Sequence, residues 1–159
     1  MSLLNKETVQ RVERLLKEFD ENQKVIVLDT SARTAEEAAS SLGCERGAIV
    51  KSLLFKTESN FSLCLVSGDK KVSLKKVKKI LKIEDASMAS AIEVKNVTGF
   101  TIGGVSPIGH SSKINILMDN SLNRFENLFA AAGHPNCVFK ITFNDLEKIT
   151  NCTIEDIVE

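Results

Sequence analysis

The spacing of apolar residues along the chain predicts its helices. An apolar residue recurs every three or four positions over residues 5–19, which is typical of an amphipathic helix. Residues 33–43 predict a second helix, because Thr34 and Glu37 have capping-box spacing and Gly43 can end it in a left-handed conformation. Four further segments have helical patterns, the last two each starting with an asparagine able to cap: 73–82, 87–96, 120–133 and 144–150.

Short apolar runs predict the strands. Residues 48–57 and 61–68 form two such runs, and the three residues between them predict a hairpin. The other predicted strands are 24–29, 100–102, 113–119 and 137–143. Strands and helices are interspersed without a repeat or a low-complexity linker. The pattern therefore predicts one compact α/β (α+β) domain over residues 1–159, built on a mixed sheet.

Composition narrows the class of protein. The 159 residues are 43% apolar and 26% charged, as in ordinary globular proteins. No apolar run approaches the roughly 20 residues that span a bilayer, and the first residues do not have the pattern of a secretory signal. We therefore expect a cytoplasmic protein with no membrane partner. The formal net charge of zero argues against a protein that coats nucleic acid along its whole surface, and DNA is not an expected partner.

The four cysteines do not predict a metal site. They are widely spaced, with no CxxC pair and no nearby pair of histidines, so neither a metal nor a cofactor is expected. Cys64 and Cys137 lie in strand-like apolar runs. We interpret the cysteines as reduced thiols, mostly of the core.

Lys51 is an unusual residue for its position, because it lies inside the apolar run AIVKSLLF. A lysine there either extends to the edge of the sheet or faces a cavity, since a buried charge without a partner is costly. One interpretation is a lysine on the exposed face of an alternating strand. The other is a cation in a pocket, where it would hold an anion or polarise a carbonyl group.

Residues 98–110, TGFTIGGVSPIGH, concentrate four of the eight glycines and one of the two prolines. Gly103 and Gly104 permit positive φ and close approach of a ligand, Pro107 fixes the chain after Ser106, and Gly109 allows another bend. Such a loop can present backbone N–H groups to an oxyanion or phosphate. It is neither a dinucleotide-binding motif nor a P-loop, and a purely structural turn remains the alternative.

The segment 70–82 is strongly basic, with seven lysines and no acidic residue among thirteen. On a helix, Leu74, Val77 and Leu81 would face inward. The opposite stripe is either a solvated face or a contact surface for the backbone of a nucleic acid. The lysines of that stripe are Lys75, Lys78, Lys79 and Lys82.

The two histidines do not form a recognisable nucleophile–base pair with any residue. His110 directly follows the glycine-rich loop and is a candidate to line a pocket, whereas His134 precedes Pro135 and is interpreted as a turn residue. Ser106 precedes a proline and does not fit a nucleophile elbow. A lysine-dependent Schiff-base enzyme remains a weaker alternative, requiring a neutral Lys51 near a carbonyl substrate.

Several motifs together resemble a known family. GAIVKSLLF, LVSGDKKV, TGFTIGGVSPIGH, ILMDNSL and DLEKIT occur in this order, and the similarity extends over residues 8–158. In these features the sequence resembles the YbaK/EbsC family of aminoacyl-tRNA trans-editing deacylases, which are related to the editing domain of bacterial prolyl-tRNA synthetases. The resemblance implies a mixed, largely antiparallel sheet flanked by helices.

The resemblance also implies an activity, namely hydrolysis of the ester that joins a wrong amino acid to the terminal adenosine of a tRNA. Such enzymes are described as lacking a protein nucleophile, so that a ribose hydroxyl and a bound water assist each other. Lys51 matches the key lysine of the family and would orient the tRNA end or the ester carbonyl. The residues that match the loop lining the family's pocket are Gly103, Gly104, Ser106, Pro107 and Gly109. The resemblance implies that backbone N–H groups of Gly103 and Gly104 stabilise the oxyanion. It implies substrate contacts for Ser106, Pro107, Gly109 and the adjoining His110.

The resemblance leaves substrate and partners open. Ala132 and Val138 stand where the cysteinyl-tRNA(Pro) deacylase branch has a serine and an aspartate, so specificity for cysteine is not expected. Alanine, serine and threonine remain candidates, with tRNA(Pro) or a related tRNA as carrier and an aminoacyl-tRNA synthetase as an optional partner. The alternative is a non-catalytic module of the same fold that binds tRNA or a synthetase.

Overall fold

The computed structural model describes residues 2–29 and 34–159. Its helices are α1 (Glu7–Phe19), α2 (Ala35–Leu42), α3 (Leu74–Leu81), α4 (Ala91–Thr98) and α5 (Phe143–Thr150). Its strands are β1 (Ile26–Val27), β2 (Ile49–Thr57), β3 (Phe61–Ser67), β4 (Ala86–Met88), β5 (Asn115–Asp119), β6 (Leu128–His134), β7 (Cys137–Ile141) and β8 (Thr153–Glu155). Short 3₁₀ turns occur at Leu3–Asn5, Arg46–Ala48 and Asn120–Arg124.

The strands form one mixed sheet in the order β1-β7-β6-β2-β3-β5-β8, and β4 pairs with β2. β2 and β3 make the predicted antiparallel hairpin, with Lys51 opposite Val66. The pairings of β2 with β6, β3 with β5, and β5 with β8 are parallel. The prediction of a mixed α/β fold is therefore confirmed.

The helices cover the sheet because their apolar stripes meet it. In α1 the three fully buried residues, Val9, Val12 and Leu16, have the spacing that predicted this helix, and they belong to the largest core cluster. In α3 Val77 is fully buried in a second cluster with Phe55 of β2. A third, smaller cluster lies under α2, where Ala38 and Ala39 pack with Ile49.

The ends of α2 follow the capping signals in the sequence. The Thr34 hydroxyl accepts a hydrogen bond from the backbone N–H of Glu37 at 3.1 Å, and Gly43 ends the helix with φ of 68°. The predicted first residue of this helix, Arg33, lies outside the described residues.

The prediction of a helix over residues 120–133 is wrong. Residues 120–124 form a 3₁₀ turn, and Leu128–His134 form β6, which lies between β2 and β7. The segment is rich in alanine because α1 packs directly on it. A Cβ added at Gly133 would lie 2.7 Å from the carbonyl oxygen of Thr8, and Ala132 is fully buried. Tertiary packing therefore overrides the helix propensity of alanine here.

Other boundaries also differ from the predictions. The capping box of Ser90 and Glu93 starts α4 at residue 91, so that 86–88 is free to form β4 instead of helix. Residues 100–102 are not a strand, and the strand predicted at 24–29 is limited to Ile26–Val27. The predicted asparagine caps are also wrong, because Asp119 and Thr142 accept the capping hydrogen bonds.

All four cysteines are free thiols, and Cys64 and Cys137 are fully buried, as predicted. Burial raises the pKa of the Cys64 thiol to about 12. Among the described residues, no helix has the length and apolar character needed to cross a membrane.

Candidate functional site

The site is built around an interruption in the sheet beside β2. One edge of β2 pairs with β3 along most of its length, whereas the other edge pairs with β6 only at Ile49 and Val50 and with β4 only from Phe55 onwards. Between these two pairings the second edge has no neighbouring strand in the described part of the chain. The interruption leaves this part of the strand backbone without a strand partner among the described residues.

Ser52 lies at this interruption. The carbonyl of Ile49 accepts a hydrogen bond from Gly68 on the β3 side, and strand backbone groups alternate between the two edges. The N–H and C=O of Ser52 therefore point to the open edge, where neither ladder supplies a partner. The hydroxyl oxygen of Ser52 is also buried, without a hydrogen-bond partner among the described residues. Unpaired polar groups of this kind are uncommon in native structures and often mark a ligand or water site.

A cavity of about 500 Å³ opens at the interruption. This volume is within the range of sites that bind small molecules. Its walls come from both faces of the sheet, with Ala38 of α2 on one side and Val94 of α4 on the other. Most of its lining is apolar. The polar and charged lining residues are Thr34, Glu36, Arg46, Lys51 and Ser52.

Lys51 lines this cavity and is half-buried. Its ammonium group donates a hydrogen bond to the carbonyl oxygen of Lys70 at 2.6 Å, which fixes the amine and leaves two further N–H donors. Burial lowers the pKa of Lys51, and the charges of Arg46 and Lys71 lower it further, whereas Asp69 opposes the shift. The lysine is thus held in the wall of a cavity, as the second interpretation of the sequence requires, and the anion or carbonyl contact of that interpretation stays a prediction.

Only the middle part of the glycine-rich loop, between residues 102 and 105, lines the cavity. Ile102, Gly103 and Val105 line it, and Gly103 has φ of 93°. A Cβ added at Gly103 would lie 3.5 Å from the Pro135 side chain, so positive φ rather than lack of space favours glycine here. Lys51 and Gly103 therefore share one cavity.

Gly104 anchors the loop and does not line the cavity. Its N–H donates to the carbonyl oxygen of Thr101 at 2.9 Å, and a Cβ added at this position would lie 2.9 Å from the Cα atom of His134. The N–H of Gly104 is thus already used within the turn, whereas the N–H of Gly103 donates to no backbone carbonyl of the described residues. The role predicted for Gly104 as an oxyanion donor stays a prediction.

The second half of the loop packs under α1, away from the cavity lining. Ser106 and Pro107 are buried, and the Ser106 carbonyl oxygen is 2.7 Å from Nε2 of His110. Gly109, with φ of 80°, faces the Leu15 side chain of α1. Burial lowers the pKa of His110, the hydrogen bond to Ser106 opposes this, and the charge of Arg11 adds to the lowering. These four residues support the loop, and the substrate contacts predicted for them stay predictions.

The lysine stripe of α3 lies on the same side of the sheet as Lys51. Lys51 and Phe55 share one face of β2 by strand alternation, and Val77 of α3 packs with Phe55. The four lysines of the predicted stripe are Lys75, Lys78, Lys79 and Lys82. Among the described residues, none of them makes an ion pair. Lys78 is half-buried and the other three are partly or fully exposed. Lys76, by contrast, pairs with Asp156 at 3.0 Å.

Sequence reasoning missed several cavity residues. Arg46 lies in the 3₁₀ turn before β2, and Ser52 lies in β2 next to Lys51, but nothing in their local pattern distinguishes them. Ala130 and Ala131 were missed because β6 reads as helix, and Val138 was singled out only through the family resemblance. The wall also contains two large apolar side chains that are more than half exposed, Met88 and Ile102.

Comparisons with known proteins place these features in context. The family model described as the aminoacyl-tRNA editing domain matches residues 29–149. The uncharacterized protein YwhH of Bacillus subtilis (strain 168) is 33% identical over 134 residues, covering 84% of this chain and 85% of the relative. A proline–tRNA ligase of Caldicellulosiruptor bescii is 36% identical over 137 residues. That match covers 80% of this chain but 24% of the ligase, so the chain spans about a quarter of this relative.

A solved structure is similar over nearly the whole chain. It is a crystal structure described as that of a candidate trans-editing enzyme for prolyl-tRNA synthetase. Its TM-score is 0.91 and its identity 35%, with 97% of this chain and 98% of that chain covered.

Proposed function

We infer the function from one premise: the chain belongs to the family of aminoacyl-tRNA editing domains. We propose that it hydrolyses the ester bond of mischarged aminoacyl-tRNA, acting on tRNA(Pro) or a related tRNA that carries a small wrong amino acid. The observation that carries the proposal is the shared cavity, in whose wall the half-buried Lys51 amine and the backbone of Gly103 both lie.

The chemistry requires positioning more than a protein nucleophile. A water molecule attacks the ester carbonyl, the bond to the ribose oxygen breaks, and that oxygen takes up a proton, with the neighbouring ribose hydroxyl assisting the water. Lys51 would orient the ester or the tRNA end with its two remaining N–H donors. The N–H of Gly103 would face the oxyanion. Well-placed donors and fixed geometry each lower such barriers by several kcal/mol.

The cavity supports a small amino acid as the group to be released. The lining near β6 and β7 consists of small or apolar side chains, among them Ala130, Ala131 and Val138. Val138 stands where the cysteine-editing branch has an aspartate, so this position of the wall offers no carboxylate. Within the otherwise apolar surroundings, the backbone edge of Ser52 offers one donor and one acceptor to the polar end of the aminoacyl group.

The deacylation of a panel of charged tRNAs tests the proposal. tRNA(Pro) carrying alanine, serine, threonine, cysteine or proline is incubated with the purified protein, and release of each amino acid is measured. We expect release of at least one small wrong amino acid and little release of proline. Lys51→Ala should slow that reaction by about 100-fold or more, whereas Lys140→Ala, at an exposed position of β7, should not.

The panel also distinguishes the deacylase from the alternative function, a non-catalytic binding module. If no amino acid is released but the protein binds tRNA in a salt-sensitive manner, the chain is a binding module of this fold and not an enzyme. If Lys51→Ala keeps its circular dichroism spectrum and the wild-type rate, Lys51 is not part of the site.

A further inference from the structure

Two cations that make no ion pair among the described residues lie close together in the wall of the cavity. Arg46 and Lys51 both line it, and Lys51 uses one N–H on the Lys70 carbonyl. Within the described part of the chain, the guanidinium group of Arg46 makes no hydrogen bond and no ion pair. Arginine in such a position presents five donors in a planar fork that matches carboxylates and phosphates.

The nearby acidic residues make no ion pair with these two cations, although the charge of Asp69 partly offsets the other charges at Lys51. Both carboxylate oxygens of Asp69 are held by Arg124, at 2.9 Å and 3.2 Å. Glu36 of α2 also lines the cavity, but its carboxylate lies within ion-pair distance of neither Arg46 nor Lys51. Lys71 adds further positive charge near Lys51. The cavity therefore combines a mainly apolar wall with an unbalanced positive end.

The backbone of Arg46 is held firmly in place. Its carbonyl group packs against Gly68, where an added Cβ would lie 2.4 Å from the carbonyl oxygen. The next residue, Gly47, packs in the same way against the Phe125 ring, where an added Cβ would lie 2.6 Å from the nearest ring atom. The guanidinium group thus extends from a rigid 3₁₀ turn, which reduces the entropic cost of binding a ligand.

We propose that Arg46, together with Lys51, binds the 5′-phosphate group of the terminal nucleotide whose ribose carries the ester. The inference rests on the proposed function, because it assumes an aminoacyl nucleotide in this cavity. The ester and the 5′-phosphate belong to the same ribose, so a ligand with its ester near Gly103 has its phosphate inside the same site. Arg46 contributes a bidentate contact and Lys51 a point charge. The carbonyl oxygen of Lys70 fixes the direction of the Lys51 amine.

Binding of a non-hydrolysable ligand pair tests the proposal. The probes are 3′-alanylamino-3′-deoxyadenosine with and without a 5′-phosphate, in which an amide replaces the ester, and affinities are measured by calorimetry. Charge-assisted hydrogen bonds predict that the wild-type protein binds the phosphorylated probe about tenfold to 100-fold more tightly. In Arg46→Gln we expect this preference to fall by about fivefold or more, to the part that the Lys51 charge supplies, and Arg46→Lys should retain more of it.

The control is Arg14→Gln, which makes the same change at an exposed position of α1 and should keep the wild-type preference. Thermal unfolding of each variant verifies that it is folded. Equal affinity of the wild-type protein for both probes, or a preference that is undiminished in Arg46→Gln, would overturn the proposal.

The outcomes remain distinct from those of the deacylation panel because the probes are not hydrolysed. A phosphate preference that depends on Arg46, combined with no amino-acid release in the panel, would support the phosphate site and contradict the proposed deacylase activity. Amino-acid release in the panel without a phosphate preference would contradict the phosphate site and support the deacylase activity.

Discussion

Lys51 is placed where its charge does not favour the stability of the fold. It is half-buried beside two other cations, Arg46 and Lys71, and its pKa is lowered mainly by burial. A lowered pKa means that the unfolded chain holds the proton more tightly than the native chain does. The cost of the charge is therefore fully present below the native pKa, and it disappears as the pH rises from the native pKa towards the unfolded value.

We predict that Lys51→Met increases stability while it abolishes deacylation. Methionine keeps much of the apolar stem and removes the partly buried charge, so the free energy of unfolding should rise by about 0.5–1 kcal/mol at neutral pH. The measurement is urea unfolding followed by far-ultraviolet circular dichroism. The gain should shrink in alkaline solution, because the wild-type lysine is then neutral in the native state.

The matched control is Lys140→Met, which makes the same substitution on an exposed strand position and should alter neither stability nor rate appreciably. A destabilised Lys51→Met would show that the hydrogen bond to the Lys70 carbonyl outweighs the cost of burial. A stabilising effect that grows with pH would contradict the assigned direction of the pKa shift.

At the scale of elements, α3 and β4 connect the lysine stripe to the cavity. The last lysine of the stripe, Lys82, ends α3 in a left-handed conformation, and β4 follows within a few residues. Met88, at the end of β4, lies in the cavity wall. A polynucleotide that contacts α3 would therefore run towards the opening in which we propose that its terminal nucleotide binds.

We predict that the stripe determines affinity for tRNA but not the chemistry. The triple variant Lys75→Gln, Lys79→Gln and Lys82→Gln should bind tRNA more weakly. The slope of log K against log salt should fall by roughly 0.7–0.9 for each phosphate that is no longer neutralised. Hydrolysis of a short aminoacyl-adenosine ester should be unchanged, because it does not reach α3. Filter binding at several salt concentrations and a deacylation assay on the short ester provide the two readouts.

A second triple variant with the same change in net charge provides the control. It replaces exposed lysines elsewhere on the surface, namely Lys24, Lys113 and Lys140. If both triple variants weaken binding equally, only net charge matters and α3 is not a contact surface. If the α3 variant also slows the short ester, the stripe acts on the site itself.

Local signals in the sequence predict the elements better than they predict the pairing of the strands. Caps and apolar spacing locate α1, α2 and α3 and the β2–β3 hairpin, because these features depend on neighbouring residues. β6 reads as helix, since its alanines are required by the packing of α1 and not by local preference. Lys51 and the loop could be found from their unusual composition. The interruption beside Ser52 could not, because it arises from where two distant strands start and stop pairing with β2.

At the scale of the whole molecule, β2 joins the three core clusters. Val50 and Leu54 belong to the largest cluster, Phe55 to the one under α3, and Ile49 to the one under α2. No cluster can lose its packing without exposing one side of the same strand. The strand that holds Lys51 thus contributes to all three clusters and is packed on both of its faces.

We therefore predict that the chain unfolds in one cooperative transition, as expected for a single domain. Differential scanning calorimetry should show one peak with a calorimetric enthalpy of about 110 kcal/mol near 60 °C, equal to the van't Hoff enthalpy. The chain has no tryptophan or tyrosine, so far-ultraviolet circular dichroism is the suitable second probe, and its midpoint should coincide with the calorimetric one. Leu54→Ala and Phe55→Ala, which affect different clusters, should each shift the single peak to lower temperature without splitting it. Two peaks, or a van't Hoff enthalpy well below the calorimetric value, would mean that the clusters unfold separately and that β2 does not couple them.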